Sequence, residues 1–336
     1  MRETYKEAIR EALAEELERD DSVLLLGEDV AQYGGGFGVT DGLLEQFGSN
    51  RVVNMPIAEN AFVNMAVGAA MMGKRPVVEL MFSDFAAVAM DAIADQAAKV
   101  KFLSGGQFQA PLVIRTAAGA GTCAAAQHSQ SLEAWLCHIP GLIVMAPSCA
   151  YDAKGLLKAA IRCDSPVVFL EHKLCYGLEG NLPEIDYTLP IGKGAVKRKG
   201  RDITIISYSH MVRTCLEAAA RLSKRRGIEA EVIDLRTILP LDRNLIVKSV
   251  KKTGLAMVVH EAVKDFGIGA EISATINESD CFYSLKKPVA RLGSAFMPVP
   301  FGEGLERAFM PQVEQIAAKA EDMVASCFGR AASYSR

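Results

Sequence analysis

The sequence lacks most of the short signals from which a chemistry is usually read. Its eight cysteines are scattered with no C-x-x-C pair, which speaks against zinc ribbons and dithiol redox motifs and favours a reducing, intracellular setting. No apolar run reaches the ~18 residues that a bilayer-spanning helix needs, and the longest clean stretch, 61–73, is short and rich in Ala and Gly. Net charge is only −3, so there is no electrostatic case for nucleic acid or an anionic membrane as a partner. A G-x-S-x-G nucleophile elbow and a P-loop are both missing, which weakens readings of Ser/His/Asp hydrolysis and of P-loop nucleotide chemistry. There is no short internal repeat. The first residues are charged, without the apolar core of a secretory signal, and their acids argue against a transit peptide; a cytoplasmic location is expected.

What is present is a 336-residue chain that is 50% hydrophobic, enough for two domains with well-buried cores. Thr4-x-x-Glu7 reads as a capping box, opening a helix with an apolar side of Tyr5, Ile9, Ala12, Leu13 and Leu17. Short, continuous apolar runs then recur at 23–26, 52–54, 77–81, 112–115, 142–146 and 167–170, and again at 203–207, 230–235, 256–260 and 288–292. Helical patterns lie between them at 58–73, 84–103, 151–162, 211–224, 241–252 and 269–277. Continuous rather than alternating apolar strands imply burial on both faces, the mark of a mostly parallel sheet under two helix layers, an α/β fold. The boundary falls in a turn-rich, then basic, stretch. The expectation is a first domain at 1–185, a linker at 186–201, a second domain at 202–326 and a flexible tail at 327–336.

Four features could carry chemistry. Glu59 opens a helix of small residues, where it is either an acid favoured by the helix dipole or a buried carboxyl able to exchange protons near neutral pH. His128 follows the almost bulk-free run 117–126; it is either a functional histidine or part of a polar loop before a helix at 129–137, with Ser129 as its N-cap. Phe85 follows the strand ending at Met81, where open α/β sheets bind ligands; it could stack on a heteroaromatic ring or be a core aromatic. The glycine run 34–38 sits too far beyond its strand for a dinucleotide-binding turn and reads better as a flexible loop.

These residues stand within a longer series: Leu26-Gly-Glu-Asp-Val30, Pro56-Ile-Ala-Glu59, Pro76-Val-Val-Glu-Leu-Met-Phe82, Ser104-Gly-Gly-Gln107, Gln127-His-Ser-Gln130, His138-Ile-Pro-Gly141, Val232-Ile-Asp-Leu-Arg-Thr237 and Pro298-Val-Pro-Phe301. Over residues 4–326 the chain resembles the β subunit of the thiamine-diphosphate-dependent E1 component of 2-oxo acid dehydrogenase complexes. The resemblance implies a three-layer pyrimidine-binding domain followed by a transketolase-type C-terminal domain. It implies that Glu59 is the cofactor-activating glutamate. A carboxyl at the pyrimidine N1′ favours the imino tautomer that takes the thiazolium proton. It further implies that Met81 and Phe85 pack against the pyrimidine, that Glu28 is an acid beside Glu59, and that His128 works at the substrate end of the cofactor. Leu112, Ala160, Ile161, Cys163 and Ser165 match positions of a potassium site built largely from backbone carbonyls.

The G-D-G…Asn motif that binds diphosphate and magnesium in thiamine enzymes does not occur. The resemblance therefore implies half a site, completed by an α subunit that brings diphosphate and Mg2+ contacts in an α2β2 assembly. The client is an E2 acyltransferase core with a lipoyl domain. Gln127 looks like pyruvate and acetoin members, and the residues around 119–127 and 171–176 look closest to acetoin-cleaving subunits. Pyruvate and acetoin rank near even as substrates, with branched-chain 2-oxo acids third. A non-catalytic scaffold subunit and a self-contained nicotinamide-dependent dehydrogenase stand as the alternatives from other classes.

Overall fold

The computed structural model of the chain describes residues 2–328. The first half runs β1 (Arg2–Thr4), α1 (Tyr5–Arg19), β2 (Val23–Gly27), α2 (Leu43–Phe47), β3 (Val52–Asn54), α3 (Glu59–Met71), β4 (Arg75–Leu80) and α4 (Val100–Leu103). It continues with β5 (Val113–Ala118), α5 (Glu133–Cys137), β6 (Ile143–Met145), α6 (Ala150–Arg162), β7 (Val167–His172) and β8 (Glu179–Asn181). The second half holds β9 (Ala195–Arg198), β10 (Ile203–Ser207), α7 (Met211–Arg226), β11 (Ala230–Asp234), β12 (Thr237–Leu239) and α8 (Arg243–Thr253). It ends with β13 (Ala256–Val263), α9 (Ile268–Asn277), β14 (Ala290–Ser294), α10 (Glu303–Phe309) and α11 (Val313–Phe328). Among the described residues no helix is long and apolar enough to cross a membrane.

The capping box forms as its spacing predicts. Thr4 Oγ1 accepts the Glu7 N–H at 3.2 Å, and the Glu7 carboxylate accepts the Thr4 N–H at 2.8 Å. All five apolar-side residues of α1 are buried. Two α/β sheets follow. The first has the order β12-β6-β7-β5-β4-β2-β3, and the second β14-β13-β10-β11-β9. Both are parallel apart from one antiparallel edge each, β12 on β6 and β9 on β11.

Three features depart from the sequence reading. The helix expected over 84–103 is interrupted: a 3-10 turn at Ser83–Ala87, a π-helical stretch at Asp91–Ala97, then α4. The helix expected over 129–137 starts only at Glu133, with Leu132 as its cap; Ser129 is buried and caps nothing, because the chain on either side of it is tied to distant residues, His128 to Lys173 and Gln130 to Ser83. The segment at 186–201, expected as a linker, contains β9, and α11 continues into the tail expected from residue 327; residues 329–336 lie outside the described residues.

The two halves interlock. β12 comes from the second half yet forms the edge of the first sheet. One apolar core joins Leu26, Phe62 and Ile114 to Ile206, Ile233 and Ile272. The first sheet also buries a charge network that its apolar runs conceal. Arg115 on β5 donates to Glu79 on β4 at 2.8 Å, and through two bonds of 2.7 and 2.9 Å to Glu171 on β7. Tyr176 adds its hydroxyl to Glu171 at 2.9 Å.

The 34–38 loop is pinned over this network rather than free. The Gly36 N–H donates to Glu79 Oε1 at 3.3 Å, Gly35 N–H to the Asp29 carbonyl at 2.9 Å, and Arg10 holds the Gly38 and Val39 carbonyls. Gly35 has φ +76°, and a Cβ there would lie 2.3 Å from Glu79 Oε1, so only glycine lets the backbone approach this carboxylate.

Candidate functional site

Glu59 is the first residue of α3 and only 7% exposed. The small residues of that helix allow so deep a placement. Among the described residues the Glu59 carboxylate has no hydrogen-bond or ion-pair partner; the charge that bears on it is Glu28, one residue beyond β2. Glu28 is 6% exposed, and its Oε1 is buried without a partner. Burial, then the like charges of Glu59 and Asp29, push the Glu28 carboxyl up to about 7. Two neighbouring buried acids, with oxygens unpaired among the described residues, form a place from which a ring nitrogen could be met.

This placement has a cost that depends on pH. A carboxyl that binds its proton more tightly folded than unfolded gives a fold that weakens as pH rises from the ordinary 4.5 towards about 7. Glu28→Gln is therefore expected to raise the melting temperature at pH 8 by roughly 3 °C, and to change it little at pH 4.5. Thermal denaturation at the two pH values checks this; an equal shift at both would assign the effect to packing.

A second group gathers where β4 ends. Phe82 meets the His128 ring edge-on at 4.7 Å between centroids, and Phe85 meets it at 5.6 Å. Phe82 and Phe85 are themselves 5.6 Å apart. Met81 packs so closely on the glycine loop that a Cβ on Gly36 would lie 2.7 Å from its Cγ. Asp84 Oδ1 accepts from the Gln130 side chain at 2.8 Å, while its Oδ2 is buried without a partner. The sequence-predicted residues thus fall into two groups, Glu28 with Glu59 and Phe85 with His128. Met81 lies against the loop that caps Glu79.

The His128 loop is held largely by residues that sequence reasoning passed over. Gly119 has φ +89°, and a Cβ there would lie 2.2 Å from His172 Nε2. His172 takes the Leu174 N–H on Nδ1 at 3.2 Å, which leaves Nε2 protonated to donate to Glu261 Oε2 at 2.7 Å. Glu261 Oε1 in turn accepts the Ala120 N–H at 2.6 Å. Burial raises the Glu261 carboxyl, but the hydrogen bonds it accepts from His172 and the Ala120 N–H, together with the neighbouring imidazoles, hold it below its usual range. Burial pushes His210, stacked on His172 at 4.9 Å, down to about 4, so it stays neutral. Further along, Glu306 of α10 accepts the Cys123 N–H at 2.8 Å. Cys123 and Ala125 both take positive φ, +55° and +62°, a strained backbone that these anchors hold in place.

The five carbonyl positions matched to a potassium site lie around the end of α6 and the starts of β5 and β7. The Arg75 guanidinium donates to the Ile161 and Cys163 carbonyls at 2.9 Å each, and pairs with Asp164. The Leu112 carbonyl accepts from Val167 and that of Ala160 from Cys163. A cation charge already belongs to this fold at that point, and an ion would use the second lone pairs of the same carbonyls.

Comparison with known proteins places this geometry. The family model for the transketolase pyrimidine binding domain matches residues 2–178, and that for the transketolase C-terminal domain residues 192–316. The chain is 46% identical over 327 residues to the acetoin:2,6-dichlorophenolindophenol oxidoreductase subunit beta of Cupriavidus necator, covering 94% of this chain and 96% of that one. It is 44% identical over 314 residues to the pyruvate dehydrogenase E1 component subunit beta of Rhizobium meliloti, covering 93% and 68%. The chain belongs to the dehydrogenase E1 β-subunit family.

A third family member, the 2-oxoisovalerate dehydrogenase subunit beta of Bacillus subtilis, is 44% identical over 322 residues, covering 95% and 98%. Among solved structures, a split-gene transketolase in an inactive β4 tetramer superposes with a TM-score of 0.79 at 24% identity, covering 96% of this chain and 98% of that one, a likeness of fold. Identity to the three E1 β relatives is nearly level although their named substrates differ, so overall similarity does not choose among those substrates. The glycine run is no dinucleotide fingerprint, since it lies in a loop packed on Glu79 and Met81 rather than at a strand-to-helix turn.

Proposed function

We propose that the chain is the β half of an α2β2 E1 enzyme that decarboxylates pyruvate with thiamine diphosphate and transfers the acyl unit to lipoamide on an E2 acyltransferase. The observation that carries this reading is Glu59: a buried carboxylate at a helix start, without a partner among the described residues, beside a second buried acid with an oxygen likewise unpaired among them. That donor set fits the protonatable nitrogen of an aminopyrimidine. When bound, thiamine diphosphate would supply a nucleophile for the 2-oxo carbon and an electron sink for the pair left as carbon dioxide departs.

In this reading Glu59 holds the proton at the pyrimidine N1′ and Glu28, whose carboxyl titrates near neutrality, exchanges it. Met81 and Phe85 bear on the ring's faces, and the Phe82–Phe85 wall keeps water from the reacting end while orienting the His128 imidazole. His128 moves a proton or orients the acyl unit for transfer. Contacts to diphosphate and Mg2+ come from the α subunit, since this chain carries no such motif. A potassium ion at 112 and 160–165 would share two carbonyls with Arg75. A cytoplasmic location goes with the same reading.

Co-expression with the α subunit tests it. The isolated chain is expected to show no 2-oxo acid-dependent dichlorophenolindophenol reduction and to gain it in the α2β2 assembly, with pyruvate turned over faster than acetoin or branched-chain 2-oxo acids. Strong activity from the isolated chain would overturn the half-site, and preference for another member of the panel would replace pyruvate.

A further inference from the structure

Lys173 follows β7 and is 6% exposed, an unusual position for an ammonium. No carboxylate lies within ion-pair distance of it among the described residues. Its Nζ donates to the backbone carbonyl of His128, lies 3.5 Å from Ser129 Oγ, and sits 5.5 Å above the centre of the Phe82 ring. Burial holds the amine below its ordinary range, and the acids whose charge reaches it, Asp84, Glu306 and Glu261, oppose that fall. Two of them, Glu261 and Glu306, also accept loop N–H groups, at Ala120 and Cys123. A buried cation without a salt bridge is costly to a fold, and here its bonds go to a single element, the loop that presents His128.

We propose that Lys173 is the positioning residue of His128. Its ammonium fastens the carbonyl at the far end of the strained 119–130 loop, while Glu261 and Glu306 fasten N–H groups at its near end and middle. The neighbouring His172 ties the same strand end to Glu261, so residues 172 and 173 clamp the loop from both sides. Phe82 serves twice, with its face to the Lys173 charge and its ring packed against the imidazole, so losing the ammonium would free both the carbonyl and the ring that orient His128. The inference rests on the proposed role of His128.

The test is a double-mutant cycle in the reconstituted α2β2 enzyme, with Lys173→Met, His128→Asn and the pair together. Lys173→Met keeps the side-chain volume and is expected to lower kcat roughly tenfold or more with KM nearly unchanged. Lys173→Arg, which keeps the cation, is expected to recover a large part. The pair is expected to lose no more than His128→Asn alone, because both changes remove one function. Backbone hydrogen exchange should quicken in Lys173→Met over residues 119–131 and stay as in wild type elsewhere. Wild-type turnover and exchange in Lys173→Met, with His128→Asn impaired, would overturn this proposal and leave the role of His128 standing. Additive losses, or an Arg variant no better than Met, would also overturn it. Wild-type turnover in His128→Asn would overturn both.

Discussion

Glu59→Gln in the reconstituted α2β2 enzyme is expected to lower kcat by about 10^3-fold while the chain folds normally. The amide keeps the shape and occupies the same position at the start of α3, but it cannot take up and release a proton. The stability sign runs the other way from the activity. Removing one of two buried acids relieves the repulsion felt by Glu28, so the melting temperature should hold or rise at pH 8. An active-site residue whose loss stabilises the protein is held there against the fold's own preference. Steady-state dye reduction and thermal denaturation of the same preparation measure both effects. Turnover close to wild type would remove Glu59 from the chemistry, and a collapse in stability would recast it as a structural acid.

Arg115→Met is expected to be the most destabilising single change in the first sheet, costing about 3–5 kcal/mol. Arg115 is 1% exposed and satisfies three carboxylate oxygens on two neighbouring strands. Its loss strands Glu79 and Glu171 in the interior with no cation between them. Burial already raises the Glu171 carboxyl even with Arg115 beside it. Without the guanidinium the Glu171 carboxyl would rise further and fold best protonated, so the loss of stability should grow as pH rises and shrink in acid. Lysine is a poor substitute, because one ammonium cannot reproduce the paired bonds to Glu171. Denaturant titration at pH 5.5 and pH 8 reads both the size and the sign; a loss under about 1 kcal/mol at pH 8 would show that water or a shift of the strands satisfies the acids. The glycine loop should loosen with the network, since Gly36 hangs from Glu79.

Much of the fold is legible in residue order because it follows from short-range rules. Continuous apolar runs mark buried strands, and β3 and β10 fall where their runs predict them. Helix failures share one cause. Over 84–103 the polar side chains of Ser83 and Asp84 bond to Gln130 from across the fold, and the first turn tightens into a 3-10 turn in place of the expected α-helix. At Ser129 a distant partner again intervenes: Lys173 lies 3.5 Å from its hydroxyl, and the helix starts only at Glu133.

The acids and the histidine were visible as residue types at suggestive places, Glu59 before a small-residue helix and His128 after a bulk-free run. Their surroundings were not. Arg115 lies in what reads as an apolar strand, and nothing local marks His172, Lys173, Glu261 or Glu306 as holding the His128 loop, because their partners stand far away in sequence. Glu261 reaches Ala120 across 141 residues and Glu306 reaches Cys123 across 183.

By itself, then, the order of residues determined the α/β class, most strands and helices, the family and the absence of a diphosphate motif, all of which depend on local pattern or short matching segments. Only the tertiary structure decided that the second half of the chain lends β12 to the first sheet and two carboxylates to the His128 loop. It also decided that a buried lysine ends at that loop rather than at an acid. The physical reason is that burial and long-range hydrogen bonding, not propensity, set the energy of a charged group, and both exist only once the two sheets have packed.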